Sequence, residues 1–534
     1  MSLKYTYLLK ITVAGAVLLS VGACKPADKG QGALKSEGVA ALNLSKSEAS
    51  VFAKHFQTKA CEVDEMEALG ALAGLGLGEN GSNNMTFSAR DFNGGLVTYR
   101  DLVFEEQGIT NFSAKTAVFH CPSMGDETPG YARLDLTDAL IRDEDSQLQF
   151  ATLNINTPSE IGASAIIDVM SGTRSYDDSD IEFDAVSMTD VTMTSDEMSG
   201  SLDLLAWGEE RDETGLGKAD LTMELLDLTL RGQNGAQDMT IDFKGMSARS
   251  LSIAAKLDAA QAMSANGVME SVVGNLNAFQ KPYDELMVGT MDLDSEGFEF
   301  NFGGIEGVTT EKDGKIVTRQ TLKPSAMSVK PASSDVPSFS RSYDIIKSLG
   351  FETVKFSGSN VTTLDSADDS MAVSDGLLVV DDAFKLNFEY SAEGLKEMAA
   401  KMQAMMEADG TPGVMAAYDP LKLRNFRLTL EDNSIVERGL KLATEMTGQS
   451  EKNIKRSLGM AVFAVAMAAE NEVQAEVYSE TVEAFAKFVN KGGMLTIEAN
   501  PPAPFALSPL ISGQGDDIDP ATLGFSASQS GGVE

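Results

Sequence analysis

The sequence predicts an α+β protein dominated by strands: an elongated, curved antiparallel or solenoid-like β-sheet array with helical insertions and a helical cluster near the C-terminus. Three observations carry that expectation. The first is a recurring spacing of apolar residues, seen in Ile181, Phe183, Val186, Met188, Val191 and Met193, whose gaps run two, three, two, three, two. Side chains two apart share one face of a strand. A gap of three breaks the alternation and needs a bulge or corner to bring the next pair back. The unit recurs at Phe112/Ala114/Ala117/Phe119, Leu134/Leu136/Ala139/Ile141, Leu148/Phe150/Leu153/Ile155, Leu221/Met223/Leu226/Leu228 and Leu421/Leu423/Phe426/Leu428. The second is turn density: Gly94-Gly95, Gly108, Pro129-Gly130, Ser171-Gly172 and Gly232 punctuate residues 85–253 with short strands between them. The third is size. A chain of 534 residues with 43% apolar content exceeds one ordinary core and calls for two domains or an extended array.

In chain order, the first 24 residues read as an address. Lys4 and Lys10 form a positive region, Ile11 to Val21 an apolar core, and Gly22-Ala23 a small-residue cleavage site before Cys24. Val21-Gly22-Ala23-Cys24 resembles the bacterial lipobox. The resemblance implies that Cys24 is acylated after signal removal, and several acyl chains on one residue anchor a protein stably. An ordinary secretory signal and an uncleaved anchor are the alternatives. Lys25, in place of the retention residue Asp, implies sorting to the outer membrane, facing the periplasm. Residues 25–44 are rich in Lys, Gly and Ser and read as a flexible tether.

Residues 45–322 are expected to form an N-terminal β-rich domain. Ser45-Lys46-Ser47-Glu48 is a capping box that opens a helix to about residue 60, and EMEALGALAG adds a second helical segment. Gly76-x-Gly78-x-x-Gly81 has the form of a dinucleotide fingerprint, but no strand precedes it and no helix follows, so it reads as a loop. Strands then run to Ile253, and a helical stretch is expected over about Ala254–Met287. The Pro- and Ser-rich residues 323–340 are expected to link to a C-terminal α+β domain, 341–534. Within it the spacing predicts helices near 394–407, 435–447, 451–469 and 472–490, the second opened by a capping box at Ser434–Glu437. The apolar run 460–469 is too short to span a bilayer.

Charge excludes one class of function. With 80 acidic and 42 basic residues the net charge is −38, which repels nucleic acid and suits a solvated acidic surface. In an oxidising compartment Cys61 and Cys121 are expected to form a disulfide, worth roughly 4 kcal/mol in the loop-entropy view. His55 and His120 lie close to these cysteines in sequence, so a Cys2His2 zinc site competes, although its spacing is unfamiliar. Asp292-Leu293-Asp294-Ser295-Glu296-Gly297 begins like a calcium loop, but position twelve is Gly303, and a solvated turn is preferred. No nucleophile elbow, zincin or P-loop motif occurs; no catalytic residue, metal or cofactor is assigned, and the protein is not expected to be an enzyme.

The serial strands of VSMTDVTM and LDLTLRG, with the late GGMLTIEANPPAPFALSPL, resemble uncharacterised Gram-negative envelope proteins and, more loosely, the AsmA-like group of β-rich bridging proteins. The resemblance implies an envelope role in housing or moving lipids and transfers no site residue. Three functions follow. The first is a non-catalytic lipoprotein that scaffolds or holds a hydrophobic ligand; 26 methionines suit adaptable apolar surfaces as well as ordinary cores. The second is an assembly protein that pairs with an envelope partner through a sheet edge, and the third a carboxylate-based hydrolase.

Overall fold

The computed structural model describes residues 52, 54–56, 61–78, 85–106, 109–125, 128–143, 146–156, 158, 160–172, 183–211, 217–231, 238–253, 281–295, 297–330, 345–407, 419–457, 472–507 and 522–532. Cys24, the tether and the capping box at Ser45–Glu48 lie outside them. The described residues divide into two compact units, the first ending at Ser295.

The first unit opens with helix α1 (Glu65–Gly74), whose first turn is capped by the Asp64 carboxylate accepting from the Glu67 N–H at 2.9 Å. Strands β1 (Met85–Thr86), β2 (Ala89–Asn93), β3 (Leu96–Glu106) and β4 (Ile109–His120) follow. A small separate pair, β5 (Ser123–Met124) and β6 (Pro129–Gly130), precedes β7 (Arg133–Asp143) and β8 (Ser146–Asn156). Helix α2 (Glu160–Ser171) then leads to β9 (Ala185–Ser195), β10 (Met198–Arg211), β11 (Gly217–Leu230), β12 (Met239–Phe243), β13 (Met246–Ile253), β14 (Glu285–Val288) and β15 (Met291–Asp294). From β3 to β11 the long strands form an antiparallel meander, each pairing with the next, and β11 carries both β12 and β13.

In the first unit the two-three-two spacing follows from left-handed residues in alternate strands. Asp101 in β3, Asp138 in β7, Asp190 in β9 and Leu225 in β11 occupy the gap of three, and all have positive φ, from 37° to 50°. These strands alternate with β4, β8 and β10. The register loses one residue on each side at the corner: Arg100 faces Thr116 and Leu102 faces Ala114, leaving Asp101 and Lys115 unpaired. One left-handed residue thus returns the next apolar side chain to the same face, with no extra residue in either strand. Asp accepts this conformation more readily than most residues. The outcome is a continuous apolar face, with Leu102, Phe104, Phe112, Phe119 and Leu134 fully buried. Helix α2 packs against β3 and β4, and α1 against β5 and β6.

Helix α2 corrects the expectation of unbroken strands through 85–253. Its EIGASAIIDVMS sequence mixes β-branched and small residues, so neither period dominates, and Ala163, Ala165, Ile166, Ile167 and Met170 are all buried. The expected turn at Ser171-Gly172 is its C-terminus, with Gly172 at φ +73°. Of the helix expected over 254–287, residues 254–280 lie outside the described residues, and 285–288 are instead β14. The calcium-like stretch begins in a strand rather than a turn. Asp292 and Asp294 belong to β15 and face Asp242 and Thr240 of β12.

The second unit contains β16 (Phe298–Phe302), β17 (Ile305–Lys312), β18 (Lys315–Val329), β19 (Thr353–Asp365), β20 (Ser370–Val380) and β21 (Phe384–Glu393). Helix α3 (Leu395–Glu407), β22 (Lys422–Asp432), α4 (Ile435–Thr447), α5 (Glu472–Lys491), β23 (Met494–Ala499), β24 (Phe505–Ala506) and β25 (Phe525–Ser530) complete it. Pairing is again antiparallel, β18 through β22 in order, then β23 and β25. Residues 323–329, expected to open a linker, are instead the end of β18, and the division between units falls at 295. Pro324 misled the reading because a proline lacks the ladder N–H. Here it sits in a register shift between Leu322 and Ser325, opposite the gap between β16 and β17, where no N–H is needed.

Helices α3, α4 and α5 match their expected positions, while 458–469 lies outside the described residues. The cap of α4 differs in chemistry. Ser434 makes no side-chain cap; the Asp432 carboxylate accepts from the Ser434 and Val436 N–H groups, each at 3.1 Å. Gly448 closes the helix in the left-handed region at φ 68°.

Candidate functional site

Two surfaces gather chemistry, one in each unit. In the first unit, both histidines and the two described cysteines lie along one cross-strand row. His120, Arg133, Asn156, Ala185, Gly208 and Asp220 stand directly opposite one another across β4, β7, β8, β9, β10 and β11. The N-terminal segment follows this row. Phe52 lies under the Arg249 guanidinium of β13, 5.5 Å from the ring centre. His55 Nε2 lies 3.2 Å from Asp220 Oδ2, and Lys54 bridges Glu210 at 2.8 Å and Asp220 at 3.3 Å. The Asn156 amide donates to the His55 carbonyl at 2.7 Å, and Arg133 to the Phe56 carbonyl at 2.8 Å. At the far end Cys61 is bonded to Cys121, just after β4.

Small residues make room for this segment. A Cβ on Gly208 would fall 2.4 Å from the His55 ring, and one on Gly95 2.5 Å from Cys61 Sγ. A lone Gly inside the strand AWGEER was the available sequence signal, since glycine in a strand marks close approach of another chain segment. The partners Asp220 and Asp135 carried no such mark, because 80 acids obscure any pair.

The electrostatics are those of a clamp. Asp220 is buried, which pushes its carboxyl up. The His55 bond, the Ser250 N–H at 3.0 Å and the Lys54 charge outweigh that and hold it down at about 2. His120 Nε2 lies 2.7 Å from Asp135 Oδ2, whose other oxygen accepts from Arg133 Nε at 2.5 Å. The expected disulfide is therefore formed. A zinc site would need both sulfurs as thiolates, yet they bond each other, and each histidine faces its own aspartate. Among the described residues no group of three or more His, Cys, Asp or Glu side chains could hold a metal.

The second surface is the apolar face of the second unit. Register places Phe300, Met327 and Val354 in one row, Leu378, Leu386 and Leu430 in another, and Phe388, Leu428 and Ile497 in a third. Every one of these nine side chains is only half-buried. Phe300 stacks on Phe302 at 6.1 Å and on Phe356 at 6.3 Å. Helix α3 packs through Leu395 and Met398 against Leu364 and Met371, while α5 packs through Ala484 and Phe488 against Leu430 and Ile497. The phenylalanine stack belongs to neither cluster. On β21 and β22 the opposite face is polar, with Lys385, Asn387 and Glu389 on the one and Arg427, Thr429 and Glu431 on the other, while β20 sets Leu377 and Val379 beside them.

A family model described only as an uncharacterised protein matches residues 377–530, which covers the later strands and helices of this second unit. A comparison with curated proteins finds no match. No helix among the described residues is long and apolar enough to cross a membrane.

Proposed function

We propose that the chain is a non-catalytic envelope lipoprotein, anchored through Cys24 to the outer membrane and facing the periplasm, whose second unit holds a lipid or another hydrophobic ligand. One observation carries the reading: the sheet face bearing Phe300, Phe356, Leu386 and Phe388 is largely apolar yet only half-buried, whereas Leu102, Phe104, Phe112, Phe119 and Leu134 of the first unit are fully buried. An apolar face left half-buried on a strongly acidic chain supports a ligand-binding reading. The three-phenylalanine stack offers flat apolar contact without a charge to select a headgroup.

The test is extraction of the protein from membranes followed by mass spectrometry of bound lipid, alongside displacement of an environment-sensitive fluorescent fatty acid. Phe356→Ser is expected to weaken probe binding at least about tenfold, since it removes a stacked ring from the face. Unchanged binding with a folded variant would end the reading. Anchoring is tested separately: Cys24→Ser is expected to abolish incorporation of a clickable fatty acid, and equal labelling of variant and parent would refute it.

A second reading, assembly through a sheet edge, draws on β25. Among the described residues it pairs with β23 alone, and its sequence FSASQS carries none of the charges or prolines that usually guard an edge. A charged substitution at Ser528 that disrupts an isolated complex, while leaving lipid content intact, would favour it.

A further inference from the structure

We infer that the second unit carries a cationic cleft, between the helical residues 451–457 and the C-terminal end of α5, that takes the phosphate headgroup of an anionic lipid at a membrane surface. The local chain builds it. Gly448, left-handed at φ 68°, stops α4 and turns the chain, and helical residues resume at 451. Ser450, Glu451, Lys452, Lys455, Arg456 and, from α5, Asn490 line an open cleft of about 700 Å³. That is room for a whole headgroup rather than for a lone phosphate ion.

The charges there run against the rest of the chain. Acids outnumber bases 80 to 42 overall, yet the cleft presents three cations and one carboxylate. Glu451 pairs with Lys455 at 2.7 Å, and among the described residues no ion pair ties Lys452 or Arg456, both of them exposed. These two stand four apart on a helix, the spacing at which like charges face each other and weaken it. An anion held between them removes that repulsion. Asn490 donates one amide hydrogen to the Ala486 carbonyl at 2.8 Å and has a second to offer a ligand.

A separate observation selects a lipid surface. Met446, in the last turn of α4, is 71% exposed and lies four residues before Ser450, within about 14 Å of it along the chain. An apolar side chain inserting beside cations is how an interfacial site holds an anionic membrane, whereas a soluble phosphate compound gives an exposed methionine nothing to bury itself in. Neither the apolar sheet face nor acylation at Cys24 is needed for this contact.

Vesicle flotation of the full chain tests the inference, because the net charge of −38 by itself repels anionic vesicles. The protein is nonetheless expected to bind vesicles of equal parts phosphatidylglycerol and phosphatidylcholine at least about tenfold more tightly than phosphatidylcholine alone, a preference that fades with added salt. Any acyl chain acts on both kinds of vesicle alike. Lys452→Gln combined with Arg456→Gln, at exposed helix positions, is expected to abolish the preference. Lys218→Gln combined with Lys312→Gln removes the same charge from exposed strand positions and is expected to keep it. Met446→Ser is expected to weaken binding to the anionic vesicles several-fold, and circular dichroism checks that each variant is folded. Equal or weaker binding of the parent to anionic vesicles would overturn the inference. So would a preference that survives the loss of Lys452 and Arg456, or one lost equally in the strand variant. Displacement by inorganic phosphate at matched ionic strength, with no effect of Met446→Ser, would assign the cleft to a free phosphate compound and remove the lipid.

Discussion

Val191→Asp is expected to unfold the first unit, with a loss of about 4 kcal/mol or more. Val191 is 2% exposed and stands opposite Leu202, itself 4% exposed, immediately after the left-handed corner at Asp190. The corner turns Val191 inward, so a carboxylate there enters the apolar face beside Leu202. Strand slippage cannot rescue it, because a one-residue shift would expose Met193 and every other apolar residue of β9. Thr192→Asp, one position along on the exposed face, is expected to change stability by less than about 0.5 kcal/mol. Urea denaturation followed by intrinsic fluorescence and circular dichroism separates the two. Equal midpoints would show that the two faces are not distinguished as described.

Asp220→Ala is expected to cost about 3 kcal/mol at neutral pH, because it leaves the buried His55 and the Ser250 N–H without their carboxylate. Its pH dependence follows from the depressed carboxyl. The folded value of about 2 lies below the ordinary 3.8, so the contribution of Asp220 is fully present above about pH 4 and is lost as pH falls towards 2. Lys54, His55 and Glu210 are the charged and titratable groups that face it, and Lys54 keeps its charge throughout that range. The stability difference between parent and variant is therefore expected to shrink steadily between pH 4 and pH 2. Denaturant melts at several pH values measure it. A difference that stays constant down to pH 2 would mean that the carboxylate charge contributes nothing to the clamp.

Both expectations draw on features that were unequally visible in the chain. The spacing of Val186, Met188, Val191 and Met193 announced strands that return to one face, and the need for a corner was legible from it. Asp101, Asp138 and Asp190 make the corner, and aspartate in the gap is a local, if weaker, signal for positive φ. Helix α2 went unread because Ile166, Ile167 and Val169 favour strand while burial on nearly every side erases the helical stripe. Pro324 resembles a boundary in sequence because its effect depends on the gap opposite it, and that gap belongs to another part of the chain.

Local periodicity sufficed for the strand-dominated class, the facing of the strands that carry the two-three-two spacing and the positions of α3, α4 and α5, since these depend on periods of two and 3.6 residues read within one element. Cysteine count and compartment paired Cys61 with Cys121. Long-range packing sets the rest: that His55 meets Asp220 across 165 residues, that Gly208 seats its ring, and that the second unit leaves its apolar face half-buried. Those facts follow from the register between strands and from what covers each face. Both are properties of residues far apart in the chain, to which no local period can point.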